Sequence, residues 1–285
     1  MSVATKLRNE EVSSVPAPAD AQQTPPVGGR DPFGLAGRVA VITGGTRGLG
    51  LAIAGAFSRA GAVVVVVSRK AEACEKAAAE LRAGGGRAVG RACHVGHWDE
   101  LTTLAAWLYD EFGRVDVLVN NAGISPLYKR LSDVSEEQWD KVIGVNLKGP
   151  FRLSALVGER MAAGDGGSII NVSSTGAVRP TADIVPYAAA KAGVNAMTAG
   201  LAHALGPKVR VNAIMPGPFL TSIARDWDME MLAERTRDHP LRRAGQPDEI
   251  VGTALYFASD ASSFTTGAVL AVDGGAQWGV PGAGR

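Results

Sequence analysis

Val39-Ala40-Val41-Ile42-Thr43-Gly44-Gly45-Thr46-Arg47-Gly48-Leu49-Gly50 is the stretch from which the fold is read, because an apolar strand runs into a glycine loop that opens a helix. Glycines 44, 48 and 50 leave the backbone bare at a helix N-terminus, where phosphate oxygens can approach amide N–H groups. The same turn can join a strand to a helix with no ligand, so the loop alone leaves both readings open.

Apolar strands and amphipathic helices alternate from Arg38 onward. The predicted strands are Val39–Thr43, Ala62–Val67, Ala88–Cys93, Val115–Asn120, Ser168–Ser173, Val209–Ile214 and Val269–Val272. The predicted helices are Gly48–Ala60, Ala71–Ala83, Trp98–Phe112, Ser135–Met161, Val185–Leu205 and Pro247–Ser259. This alternation predicts an α/β fold, a doubly wound (Rossmann) parallel seven-stranded sheet with helices on both faces, in a single domain over residues 33–285. The segment 216–245 mixes Phe219, Ile223, Trp227, Met229, Met231 and Leu232 with charges, and is read as a lid over the substrate rather than a core helix.

Composition narrows the function. At 46% apolar residues, 285 residues can bury a full core, and a net charge of +1 without a basic run argues against nucleic acid or an anionic membrane as partner. Cys74 and Cys93 have no metal or disulfide spacing, which suits a reducing, cytoplasmic setting and no metal site. The longest apolar run, Ala62–Val67, is only a strand's length. Residues 1–32 carry Pro, Ser, Gln and charge without periodicity, and are expected to form a flexible N-terminal extension, either a disordered leader or a strap across a neighbouring subunit.

The end of the second strand reads Ser68-Arg69-Lys70, where an acidic residue would select the 2′-OH of NAD. With Arg47 nearby and no carboxylate, charge complementarity favours NADP(H) over NAD(H), unless Arg69 and Lys70 merely begin a solvated helix. Tyr187 and Lys191, at i and i+4 on one helical face, follow the serine pair Ser173 and Ser174. The ammonium beneath the phenol would stabilise its phenolate, and is expected to lower its pKa.

Together these motifs resemble the short-chain dehydrogenase/reductase family, single-domain type, in particular its 3-oxoacyl reductase-like members, from about Phe33 to Trp278. The family's TGxxxGxG matches Thr43–Gly50, including Gly44, Thr46, Arg47, Gly48, Leu49 and Gly50. Its NNAG matches Asn120, Asn121, Ala122 and Gly123, and its PGxxxT matches Pro216, Gly217 and Thr221, with Phe219 inside the element. The resemblance implies that Thr221 holds the nicotinamide carboxamide. Where the family places an aspartate to bind adenine, this chain has His94 before Val95, and the histidine would accept through a ring nitrogen or stack.

By the same resemblance the catalytic set is Asn146, Ser174, Tyr187 and Lys191. Ser174, thirteen residues before Tyr187, is chosen over Ser173. Tyr187 would be the general acid/base, Lys191 would tune it and hold the nicotinamide ribose, Ser174 would bind the substrate oxygen, and Asn146 would hold a water leading to Lys191. The alanines 188, 189, 190, 192 and 196 give the helix a small-residue surface suited to packing between subunits, with a homotetramer expected and a dimer the alternative.

The implied reaction is NADP(H)-dependent interconversion of a ketone and a secondary alcohol. Ile124, Ser125, Pro126, Leu127 and Tyr128 with Phe219, Ile223 and Trp227 predict an apolar or amphipathic substrate, unless they pack on one another or on a neighbouring subunit. Alternatives are a 3-oxoacyl-[acyl-carrier-protein] or acyl-CoA reductase, and a non-catalytic NADP(H)-binding regulatory protein. Against the first, Gly164-Asp165-Gly166-Gly167 and Leu205-Gly206-Pro207 stand where cations would meet an acidic carrier. The second would be expected to lose Tyr187 or Lys191. A sugar-nucleotide epimerase or dehydratase would need a larger substrate domain after Pro216.

Overall fold

The computed structural model describes residues 31–221 and 229–278. The expectations for residues 1–30, Ile223 and Trp227, and for the side chains of Met229 and Met231, lie outside the described residues.

Seven strands form one parallel sheet: β1 (Val39–Thr43), β2 (Val63–Ser68), β3 (Arg87–Ala92), β4 (Val117–Asn120), β5 (Gly167–Val172), β6 (Val209–Pro216) and β7 (Val269–Val272). Their spatial order is β3-β2-β1-β4-β5-β6-β7. The order reverses between β1 and β4, where Thr43 pairs with Asn120, and such a switch point opens a crevice at the carboxyl ends of the strands.

The unbroken valines of β2 are explained by a core on each side. Val64 and Val66 pack in the layer with Ile53, Phe57 and Phe257, whereas Val65 and Val67 pack with Leu104, Leu108, Leu153 and Leu201. Successive side chains point to opposite faces, so a strand covered on both must be apolar throughout. Helices α1 (Gly48–Arg59) and α8 (Val251–Ala258) cover the first face, and α3 (Trp98–Phe112), α5 (Gly149–Ala163) and α6 (Val185–Leu205) the second; α2 (Ala71–Ala83) adds to the first beside β3.

The predicted helix Ser135–Met161 is not continuous. α4 (Glu136–Ile143) passes through a π-helical turn, Gly144–Lys148, into α5. Pro150 has no N–H to give the Asn146 carbonyl, and the wider turn accommodates that missing i+4 donor. Gly149 is required beside it, since a Cβ there would lie 2.1 Å from the Val95 carbonyl oxygen. The lid segment also departs from expectation: it contains α7 (Met229–Thr236), with Leu232 and Thr236 buried.

Candidate active site

Thr43, the last residue of β1, organises the glycine loop. Its hydroxyl donates to the Val119 carbonyl (3.2 Å) and accepts from the Asn121 (3.0 Å) and Ala122 (3.2 Å) amides. Asn121 Nδ2 donates back to the Thr43 and Gly44 carbonyls at 3.0 and 3.2 Å. The two sequence motifs are therefore one hydrogen-bonded unit. A Cβ on Gly50 would fall 2.3 Å from the Gly44 oxygen and 2.5 Å from Asn121 Nδ2, so this packing demands glycine. Gly44 and Gly48 have φ of +66° and +55°, the left-handed region that glycine enters without strain.

Gly48 begins α1, whose N-cap, Arg47, makes no side-chain capping bond. The first-turn amides thus lie beside Gly44, Gly45 and Gly48, which carry no Cβ, an arrangement that fits a pyrophosphate. Thr221 lies over this point, with its Cβ 3.3 Å from where a Gly48 Cβ would stand. Gly217 is held to Val272 by its amide (3.1 Å) and leaves no room for a Cβ against Asp273. Arg47, Arg69 and Lys70 are exposed, Ser68 is half-buried, and none of the three cations forms an ion pair among the described residues. Thr46 and Leu49 are half-buried, and Leu49 packs on the core.

His94 uses both of its expected modes on the protein itself. Its Nδ1 accepts the Gly96 amide (3.1 Å), and its ring stacks on His97 at 4.0 Å and 17°. The remaining nitrogen, Nε2, then carries the proton and is a donor, the reverse of a carboxylate. Burial first, then the neighbouring His97 and Arg69, hold the His94 pKa below its usual value. Val95 turns its side chain into the core. Phe219 does the same: its ring is buried with Ile214, Ile250 and Phe257 and presses on Gly245, correcting the expectation that it lines an apolar substrate wall. A tight bridge between Phe219 and Gly245 directs the ring inward.

At the carboxyl end of β5, Ser173 is buried with its hydroxyl toward the Lys191 carbonyl (3.4 Å), whereas Ser174 accepts the Gly176 amide (3.0 Å) and lies beside Tyr187, a Cβ on Gly176 standing 3.3 Å from Ser174 Oγ and 3.7 Å from Tyr187 Cε1. Lys191 is buried, and Nζ donates to the Val172 carbonyl at 2.6 Å, 5.7 Å from the Tyr187 ring centroid. Burial lowers its pKa to about 8. The Tyr187 phenol is pushed up by burial and pulled back by Ser174. This corrects the expectation that Lys191 lowers it, because here the ammonium is directed at a carbonyl rather than at the phenol oxygen.

Asn146, fully buried in the π-turn, clamps the chain after NNAG. Its Oδ1 accepts the Ile124 amide (3.1 Å), and Nδ2 donates to the carbonyls of Ile124 and Val142, both at 2.9 Å. Gly123 lies between the groups: a Cβ there would come 2.9 Å from Asn146 Oδ1 and 3.7 Å from Lys191 Nζ. A buried chain that sequence reasoning missed secures the same helix. Asn120 Nδ2 donates to Ser154 Oγ and Asn171 Oδ1, each 2.9 Å away, and Asn171 Nδ2 donates to Thr198 Oγ1 (3.0 Å), which donates to the Val194 carbonyl (2.8 Å). A polar residue amid the apolar run of β5, and Thr198 seven residues after Lys191 on the same helical stripe, were the available signals. No group of three or more metal-binding side chains gathers among the described residues, and no helix among them is long and apolar enough to cross a membrane.

Comparison with known proteins agrees with this geometry. A family model described as enoyl-(acyl carrier protein) reductase matches residues 44–277. Human dehydrogenase/reductase SDR family member 4 is 36% identical over 86% of this chain and 89% of its own. The 3-oxoacyl-[acyl-carrier-protein] reductase of Chlamydia trachomatis is 38% identical over 85% and 98%. The crystal structure of a gluconate 5-dehydrogenase from Burkholderia cenocepacia in complex with NADP and tartrate is 34% identical, covering 88% of this chain and 99% of that one, with a TM-score of 0.84. The protein is an oxidoreductase, and the chain belongs to the short-chain dehydrogenase/reductase family.

Proposed function

We propose that this protein interconverts a ketone and a secondary alcohol with NADP(H). The observation that carries the reading is the meeting of Ser174, Tyr187 and Lys191 close to Gly123, two residues after the Asn121 that is hydrogen-bonded to the glycine loop. The glycine loop would hold the pyrophosphate of a dinucleotide whose nicotinamide would supply or accept hydride. Tyr187 gives a proton to the carbonyl oxygen during reduction and takes it back during oxidation. Ser174 hydrogen-bonds the same oxygen and stabilises the negative charge that develops on it. Lys191 is buried and conformationally restrained beneath the ring, and positions the ribose with its ammonium; Asn146 keeps the neighbouring backbone in place.

Arg47, Arg69 and Lys70 support NADP(H) over NAD(H), since an unpaired cation meets a 2′-phosphate where NAD offers only a hydroxyl. The bound NADP of the Burkholderia structure supports the same choice. We assign an apolar or amphipathic ketone as substrate on the exposed Leu127 and Val178 near the site. The Chlamydia relative favours a second reading, reduction of a 3-oxoacyl thioester. A cytoplasmic homotetramer completes the assignment. Tyr187→Phe should lower turnover at least a thousandfold while NADPH still binds, because only the proton donor is removed. Stopped-flow NADPH oxidation with a ketone panel checks this, and near-normal turnover would refute the assigned role.

A further inference from the structure

The catalytic helix α6 begins without a cap of its own. Ile184, at its N-cap position, has no side-chain acceptor, and Pro186 carries no N–H, so the Val185 amide is a first-turn donor needing a partner from outside the helix. That partner is the Tyr128 hydroxyl, which accepts the Val185 N–H at 2.9 Å and donates to the Ala182 carbonyl at 2.7 Å. One phenol oxygen thereby satisfies a donor and an acceptor on the turn that leads into α6, two residues before Tyr187.

The segment carrying Tyr128 is fixed at its other end as well, because Ile124 is held by Asn146 through both its amide and its carbonyl. Ile124–Tyr128 is therefore strung between two anchors, the π-turn and the start of α6, and Pro126 stiffens it midway. We propose that Tyr128 is a positioning residue for the reaction: it locks the first turn of α6 to the loop after Gly123, so that Tyr187 and this wall of the substrate cleft are held in one register. The inference rests on the acid/base role proposed for Tyr187. Displacements of an ångström between reacting groups are enough to cost one to two orders of magnitude in rate, and a helix start anchored only by solvent permits them. Phenylalanine keeps the ring and its packing but can make neither bond.

The test compares full-length wild type with Tyr128→Phe and Tyr187→Phe, using ethyl acetoacetate as the ketone probe, NADPH titration, thermal midpoints and the tyrosine 13Cζ resonances. The chain has four tyrosines, so the Tyr187 signal is assigned by its disappearance in Tyr187→Phe. Tyr128→Phe should lower kcat about tenfold, raise KM for the ketone, leave the NADPH Kd unchanged and move the Tyr187 resonance as the ring shifts against its neighbours, Ser174 and Lys191. Unchanged kcat, KM and resonance, even with a reduced thermal midpoint, would mean a structural role only and overturn the proposal. If wild type does not reduce the probe, the resonance decides alone: movement supports the proposal and no movement overturns it. Turnover retained in Tyr187→Phe would instead refute the acid/base reading, whatever Tyr128→Phe does.

Discussion

Lys191, in the role proposed for it, is held at a cost to the fold. A lysine whose pKa falls from 10.5 to about 8 by burial is destabilising while charged, on the order of 3 kcal/mol for a shift of that size. The folded state binds fewer protons than the unfolded state between these values, so stability rises with pH from about 8 to 10.5. Lys191→Met should raise the unfolding free energy at pH 7 by about 1–3 kcal/mol and flatten that rise, as urea titrations of both proteins across the window would reveal. A loss of stability at pH 7 would mean that the bond to Val172 outweighs the desolvation. At this scale the sequence predicts which side chains meet, Ser174, Tyr187 and Lys191, but not the electrostatic state in which they meet. Tyr187 and Lys191 at helical spacing could be read directly, but the ammonium's direction toward Val172 depends on the end of β5, a strand distant in sequence. Phe219 was misread for the same reason, since only the bridge to Gly245 turns its ring inward.

At the scale of elements, the glycine loop was readable because its requirement is steric: Gly50 has no space for a methyl group. The strands were readable because burial on both faces demands unbroken apolar residues. The division of α4 from α5 was not, because a single proline after an amphipathic run gives little warning of a π-turn. Nor was the Asn120–Asn171–Thr198 chain, whose members come from three elements. It ties α6 to the centre of the sheet, and Thr198→Val would leave Asn171 Nδ2 without a partner in a fully buried site. That substitution should cost about 1–3 kcal/mol by denaturant unfolding; a change below about 0.5 kcal/mol would imply that the chain is not what secures the helix.

For the whole molecule, the outer strand and its approach are unusually apolar for solvent: Phe264 is fully exposed, and Val269 and Leu270 are about 40% exposed. On α5 and α3, Phe151 and Trp98 are similarly exposed, with the Arg152 guanidinium over one face of the Trp98 ring. Two such surfaces suit the proposed homotetramer, and Phe264→Asp with Leu270→Asp should reduce its mass in sedimentation velocity while cofactor binding persists; an unchanged mass would exclude this edge as an interface. The central claim, that the crevice takes NADP(H), is tested most directly by titrating wild type and Arg69→Asp with NADPH and NADH by calorimetry. Wild type should bind NADPH about ten- to a hundredfold more tightly, the worth of a charge-assisted phosphate contact, and Arg69→Asp should erase most of that preference. Equal or tighter binding of NADH by wild type, or no binding of either nucleotide, would contradict it.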